Sequence, residues 1–69
     1  MPITLADKGQ QYIVQRICGR DKVRRHLENL GVAVGALITV VADSSAGLII
    51  NVKGTRFALD MALARRIMI

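Results

Sequence analysis

Glycine sets the grain of this chain. Gly9, Gly19, Gly31, Gly35, Gly47 and Gly54 interrupt it at short intervals, and the stretches between them are rich in Val, Ile, Leu and Ala. Glycine weakens the interior of a helix or strand and is at home in turns. Each stretch therefore accommodates one short element, and closely spaced short elements favour strands over long helices.

The stretch after Gly9, Gln10 to Ile17, carries β-branched and aromatic residues and reads as a strand. Tyr12 and Val14 share one face, Ile13 and Ile17 the other. Apolar groups on both faces predict a bulge or a sharp bend inside the run. Asp21 to Leu30 reads as the one substantial helix, because Val23, Leu27 and Leu30 recur at i, i+4 and i+7 and form one apolar stripe. Asp21 is placed to cap its N-terminus and to pair with Arg25 one turn on. Gly31 suits the left-handed position after the helix, with Val32 folding back onto Leu27 in a Schellman ending.

Gly35 opens a second strand, Ala36 to Ala42. Asp43 to Gly47 has turn composition and joins a hairpin to Leu48–Lys53, where Leu48, Ile50 and Val52 point inward and Asn51 and Lys53 outward. Gly54 and Thr55 turn the chain into a strand holding Phe57 and Leu59. Asp60 caps a single helical turn, Met61 to Ala64, and a last strand runs from Arg66 to Ile69. These elements predict a mainly β fold: about five short strands, with one helix after the first, forming a small closed or partly closed barrel.

Sixty-nine residues make a single domain, residues 1–69. A chain so short buries only about 60% of its unfolded surface, and the 52% hydrophobic composition compensates. Cys18 is the sole cysteine, so no internal disulfide supports the core, which favours a reducing compartment. The opening residues lack the basic stretch and apolar run of a signal peptide. No apolar run approaches the roughly 20 residues of a membrane helix, so no direct membrane insertion is expected.

Ten Lys and Arg against five Asp and Glu give a net charge of +5. The cations cluster at Arg16, Arg20, Lys22, Arg24 and Arg25, with Arg65 and Arg66 near the end. Such a cluster is either a solvated helix face or a binding patch for an acidic partner. Barrels that bind nucleic acid usually add stacking aromatics, and only Tyr12 and Phe57 are present here, Phe57 as a core candidate. No specific nucleic-acid partner is expected, and an aromatic groove for proline-rich peptides is missing for the same reason. Ile49, between inward-facing neighbours, points out. With Leu37 and Met68 it forms either a set of scattered exposed aliphatics or a contiguous partner face.

No catalytic constellation emerges, because the single His26 and single Cys18 lack a third orienting partner. The chain reads as no enzyme. Lys53-Gly54-Thr55 reverses the order a phosphate-binding loop needs. Cys18 and His26 flank the helix start, but two ligands fall short of a tetrahedral metal site. No metal or cofactor residues are assigned to the isolated chain, and a site completed between copies lies outside that argument.

The order of these pieces resembles the FeoA family, the ferrous iron transport protein A type. Leu5 followed by Gly9 is similar to its opening. The helix Arg24-Arg25-His26-Leu27-Glu28-Asn29-Leu30-Gly31 resembles its basic helix ending in Leu-Gly, and Gly35 follows at the family spacing. Gly54-Thr55-Arg56-Phe57-Ala58-Leu59, with Ala64, Ile67 and Ile69, resembles its closing segment. Val34 stands where the family usually has Pro, and Asp60 where a basic residue is usual. The resemblance implies an SH3-like barrel, a cytoplasmic location and a non-enzymatic accessory role that binds and modulates the FeoB-type ferrous iron transporter. The partner contacts expected are Arg20, Lys22, Arg24, Arg25 and Ile49, with self-association left open. The alternative is a regulatory module like the C-terminal barrel of DtxR-type metal-dependent repressors, reaching DNA or sensing metal through a partner.

Overall fold

The computed structural model describes residues 1–69. A single 3-10 turn, Ile3–Leu5, precedes strands β1 (Gln11–Ile13) and β2 (Arg16–Ile17), helix α1 (Asp21–Asn29), strands β3 (Leu37–Asp43), β4 (Gly47–Val52) and β5 (Thr55–Asp60), the one-turn helix α2 (Met61–Ala64) and strand β6 (Ile67–Met68). Strands β1, β3, β4 and β5 form a four-stranded antiparallel sheet in that order, and β2 pairs with β6 in a separate two-stranded ladder. The two ladders enclose the core of an SH3-like barrel.

The expected first strand is split. The chain bends after Ile13, so β1 pairs with β3 while β2 crosses to β6, and six strands replace the five expected. The bend reverses the inside–outside alternation, so that Val14 and Ile17 are both buried although their spacing is odd, whereas Ile13 is 51% exposed. A straight strand cannot do this, because successive side chains alternate. A register shift between Val40 and Ala42 leaves Val41 as an extra residue in β3, a bulge that bends this strand around the barrel.

The helix ends as its sequence predicts. Gly31 adopts φ +92°, its N–H donates to Glu28 O at 2.9 Å, and the Val32 N–H donates to Leu27 O at 2.9 Å. These are the two hydrogen bonds of a Schellman motif, and Leu27 and Val32 are both fully buried. The start differs from expectation. Arg20 occupies the N-cap position, with no side-chain capping bond, and Asp21 lies in the first turn. There its charge still favours the positive end of the helix dipole. The Asp21–Arg25 pair does not form: the chain has one ion pair, Lys8–Asp43 at 3.4 Å. Leu30 is the C-cap and 37% exposed, so Val23 and Leu27 carry the stripe.

In β4, Leu48, Ile50 and Val52 are buried and Ile49 is exposed, as their alternation requires. Lys53 and Gly54, at φ 54° and 81°, form the two-residue turn between β4 and β5. Asp60 caps α2 through a 2.8 Å bond from the Leu63 N–H to its Oδ1. The last strand is shorter than expected and comprises Ile67 and Met68. Thirteen buried aliphatic residues form one core cluster, and it contains no polar side chain. Phe57 lies at its edge, half-buried.

Candidate functional site

No deep, enclosed site is present, and the features that distinguish the surface are charge and exposed aliphatic groups. On α1 the buried Leu27 and half-buried Val23 turn the opposite face to solvent. Asp21, Arg24, Arg25 and Glu28 line a shallow polar depression there, as residues at i, i+3, i+4 and i+7 share one helix face. Lys22 and His26 lie on the flank of the same helix, and Arg20 at its cap; all are exposed. Arg20, Lys22, Arg24 and Arg25 make no ion pair with any carboxylate in the chain. Helix geometry sets Arg24 and Arg25 side by side and puts Lys22 well around the helix from Arg24. The predicted cations thus form a band around α1 rather than one focused cluster.

Arg16 lies apart from that band, on β2, whereas Arg66 precedes β6 and its guanidinium reaches Gly19, where an added Cβ would lie 3.4 Å from Nη1, beside the start of α1. Arg16 Nη2 approaches Cys18 Sγ at 3.4 Å, and the Cys18 N–H donates to Arg66 O at 2.7 Å. A guanidinium beside the sulfur opposes a second cation there. No group of three or more His, Cys, Asp or Glu side chains converges anywhere in the chain, so Cys18 and His26 do not become part of a larger ligand set.

Ile49 lies on the outer face of the four-stranded sheet, 37% exposed. Its cross-strand neighbours are Ala42 and Ala58, whose small side chains leave it standing in a shallow, largely apolar depression of about 370 Å³. Leu37 is 49% exposed but pairs with Ile13 at the far end of the sheet. Between these two apolar rungs runs a polar one, in which Gln11, Thr39, Asn51 and Arg56 stand side by side. Met68 belongs to the other ladder, opposite Arg16, and is half-buried. Ile49, Leu37 and Met68 therefore do not form one contiguous patch. Ile13, which the sequence reading paired with Ile17 on a common face, is instead the exposed partner of Leu37. No helix is long and apolar enough to cross a membrane.

The whole chain, residues 1–69, matches the family model described as the FeoA domain. A protein of Methanocaldococcus jannaschii provisionally named Fe(2+) transport protein A is 28% identical over 68 residues, which is 99% of this chain and 83% of that protein. A crystal structure described as the iron uptake regulatory protein FeoA is 35% identical and superimposes with a TM-score of 0.90, covering 97% of this chain and 91% of the other. FeoA of Stenotrophomonas maltophilia, solved in complex with zinc and described as a procaryotic SH3 domain protein, is 26% identical with a TM-score of 0.82, covering 99% of this chain and 87% of that one. A manganese-dependent transcriptional repressor shares the fold: its TM-score is 0.86 at 16% identity, over 97% of this chain and 39% of the repressor.

Proposed function

Since the chain belongs to the FeoA family, we propose that it is a non-enzymatic cytoplasmic accessory protein of ferrous iron uptake, which binds the cytoplasmic part of an FeoB-type transporter and modulates it. The match of all 69 residues to the family model carries this reading. The name of the M. jannaschii relative, an Fe(2+) transport protein, agrees with it.

The surface supports a role in binding. The α1 cations Arg20, Lys22, Arg24 and Arg25 have no internal partner, so their charge is available to an acidic surface and speeds encounter with it. Ile49 offers an aliphatic group that loses water on contact. Protein interfaces concentrate energy in such desolvated centres, and rim charges act mainly on association rate and salt response.

The test compares affinity for the transporter's cytoplasmic domain and for duplex DNA, each at low and physiological salt. Wild type, Ile49→Asp and Arg24→Ala are measured. Ile49→Asp is expected to weaken transporter binding more than Arg24→Ala does. Tight DNA binding at physiological salt, untouched by Ile49→Asp and accompanied by no transporter binding, would overturn the proposal. That outcome would favour the second reading, a regulatory module, which is motivated by the shared fold of the manganese-dependent repressor. At 16% identity that likeness concerns architecture, and architecture hosts many functions.

A further inference from the structure

Strand β5 is the outer strand of the four-stranded sheet, with β4 as its only neighbour. Six consecutive residue pairs, from Val52–Thr55 to Gly47–Asp60, join the two without a register shift. The two-residue turn at Lys53 and Gly54 fixes the hydrogen-bond phase, because the pair closing such a turn, Val52–Thr55, exchanges hydrogen bonds. Antiparallel alternation then directs the backbone groups of Phe57 and Leu59 toward β4, and those of Arg56, Ala58 and Asp60 away from it. The Ser44 N–H bond to Gly47 O at 2.9 Å agrees with this phase, since it turns Gly47 toward β3. No turn, loop or side-chain hydrogen bond in the chain reaches the backbone of Arg56 or Ala58, or the Asp60 N–H, whereas the Asp60 carbonyl, at the N-cap of α2, accepts the first bond of that helix.

Exposed edges of this kind are normally blunted by charged side chains, proline, a bulge or shortness. Strand β1, at the opposite edge, has three residues. Strand β5 has six, with no proline or bulge, and its charges, Arg56 and Asp60, are of opposite sign. Arg56, Ala58 and Asp60 are all exposed. Helix α2, which follows directly, packs back on β4, β5 and the N-terminal 3-10 turn rather than running out past the edge.

The charges along the edge are self-complementary. Two copies of β5 pair antiparallel through their free backbone groups only in registers that match Arg56, Ala58 and Asp60 among themselves. Centring on Arg56 sets Arg against Arg, centring on Asp60 sets Asp against Asp, and centring on Phe57 or Leu59 sets Arg56 or Asp60 against Ala58 and leaves each charge without an opposite partner. Centring on Ala58 matches all three positions and puts each Arg56 opposite the other copy's Asp60. In that register half-buried Phe57 stands opposite the other copy's Leu59, which is already buried in its own core. Asp60 already accepts the Leu63 N–H on Oδ1, which leaves Oδ2 for the guanidinium.

From this geometry we infer that the chain forms a two-fold homodimer by antiparallel β5–β5 pairing centred on Ala58, with about four backbone hydrogen bonds and two Arg56–Asp60 ion pairs. The interface is isologous, as a two-fold axis requires. It extends one four-stranded sheet into a continuous eight-stranded one and removes an open edge from each copy. The net charge of +5 on each copy opposes association at low salt, so the dimer is to be sought at physiological ionic strength or above, where the Debye length is about 8 Å or less.

The experiment is sedimentation equilibrium of the full chain over a wide concentration range, with far-UV circular dichroism to verify that each variant is folded. Wild type is expected to show a concentration-dependent monomer–dimer equilibrium. Arg56→Glu faces Glu with Asp, and Asp60→Lys faces Lys with Arg, so each alone is expected to weaken self-association by about tenfold. Mixed together, the two variants have opposite charges at both junctions and are expected to form a heterodimer. Ala58→Pro removes one outward N–H from each copy without touching the β4–β5 ladder and is expected to be monomeric. A wild type that stays monomeric at millimolar concentration would overturn the inference. So would a folded Ala58→Pro that dimerises as tightly as wild type, or a charge-swapped mixture that gains nothing over its components. None of these outcomes depends on whether a transporter is bound.

Discussion

Gly47 follows one turn and Gly54 lies within another, yet the structure favours glycine at each for a different reason, and replacing them by alanine separates the two. Gly54 has φ +81° and nothing within 4 Å of an added Cβ. Alanine there meets only conformational strain, about 1–2 kcal/mol, offset by ~0.4–1 kcal/mol from the stiffer unfolded chain. The net loss is about 1 kcal/mol. Gly47 is not among the positive-φ glycines. Its constraint is space: an added Cβ would lie 2.1 Å from Leu59 O and 3.0 Å from Asp60 Cα. Both obstacles are backbone, so β4 and β5 must part. Overpacking costs about 1–3 kcal/mol, and loosening the adjacent Leu48–Leu59 pair forfeits hydrogen bonds of about 0.5–1.5 kcal/mol each. With the same offset from the unfolded state, Gly47→Ala is expected to cost about 3 kcal/mol, a large share of the ~3–10 kcal/mol available to a chain of this length.

Urea unfolding followed by circular dichroism measures the difference. With an m-value of about 1 kcal/mol/M, a gap of about 2 kcal/mol separates the two midpoints by about 2 M. A Gly47→Ala midpoint equal to or above that of Gly54→Ala would refute the argument, by showing that the β4–β5 contact relaxes at little cost.

Further outcomes follow from the same structure. Leu27→Ala empties a fully buried position that also anchors the Schellman motif; a loss of about 2–5 kcal/mol is expected, and an unchanged melting temperature would show that the position can collapse without cost. Asp60→Ala removes the α2 cap and is expected to cost about 1 kcal/mol, whereas Asp60→Asn retains an acceptor and is expected to cost only a few tenths; equal losses for the two would mean that charge rather than the Leu63 N–H bond matters. Anaerobic calorimetry of the isolated chain is expected to show no micromolar ferrous binding, because no three ligands converge; such binding, abolished by Cys18→Ser or His26→Ala, would contradict this.

The basic residues of α1 and the outward Ile49 were legible as surface features because helix and strand periodicities dictate which side chains face the core. Their grouping was not legible. Whether Leu37 joins Ile49 depends on cross-strand register, and register sets the polar rung of Thr39 and Asn51 between them. The ion pair expected between Asp21 and Arg25 illustrates a weaker inference. Spacing brings two exposed side chains within reach, but a surface pair gains too little over hydration to hold them together.

Local chemistry was enough to determine the elements whose stabilising contacts lie within a few residues. The Schellman ending needs Leu27, Gly31 and Val32, the α2 cap needs Asp60 and Leu63, and the β4–β5 hairpin needs Lys53, Gly54 and the alternation before them. All of these are close in sequence, so composition and spacing specify them. Tertiary structure alone decided the division of the first strand between two ladders, the burial of both Val14 and Ile17, the bulge at Val41, and the reason for glycine at position 47. In each case the deciding partner is distant along the chain: β6 for Ile17, β4 for Val41, Leu59 for Gly47. A closed barrel brings such partners together by curving its strands, and that curvature is a property of the assembled sheet rather than of any one segment.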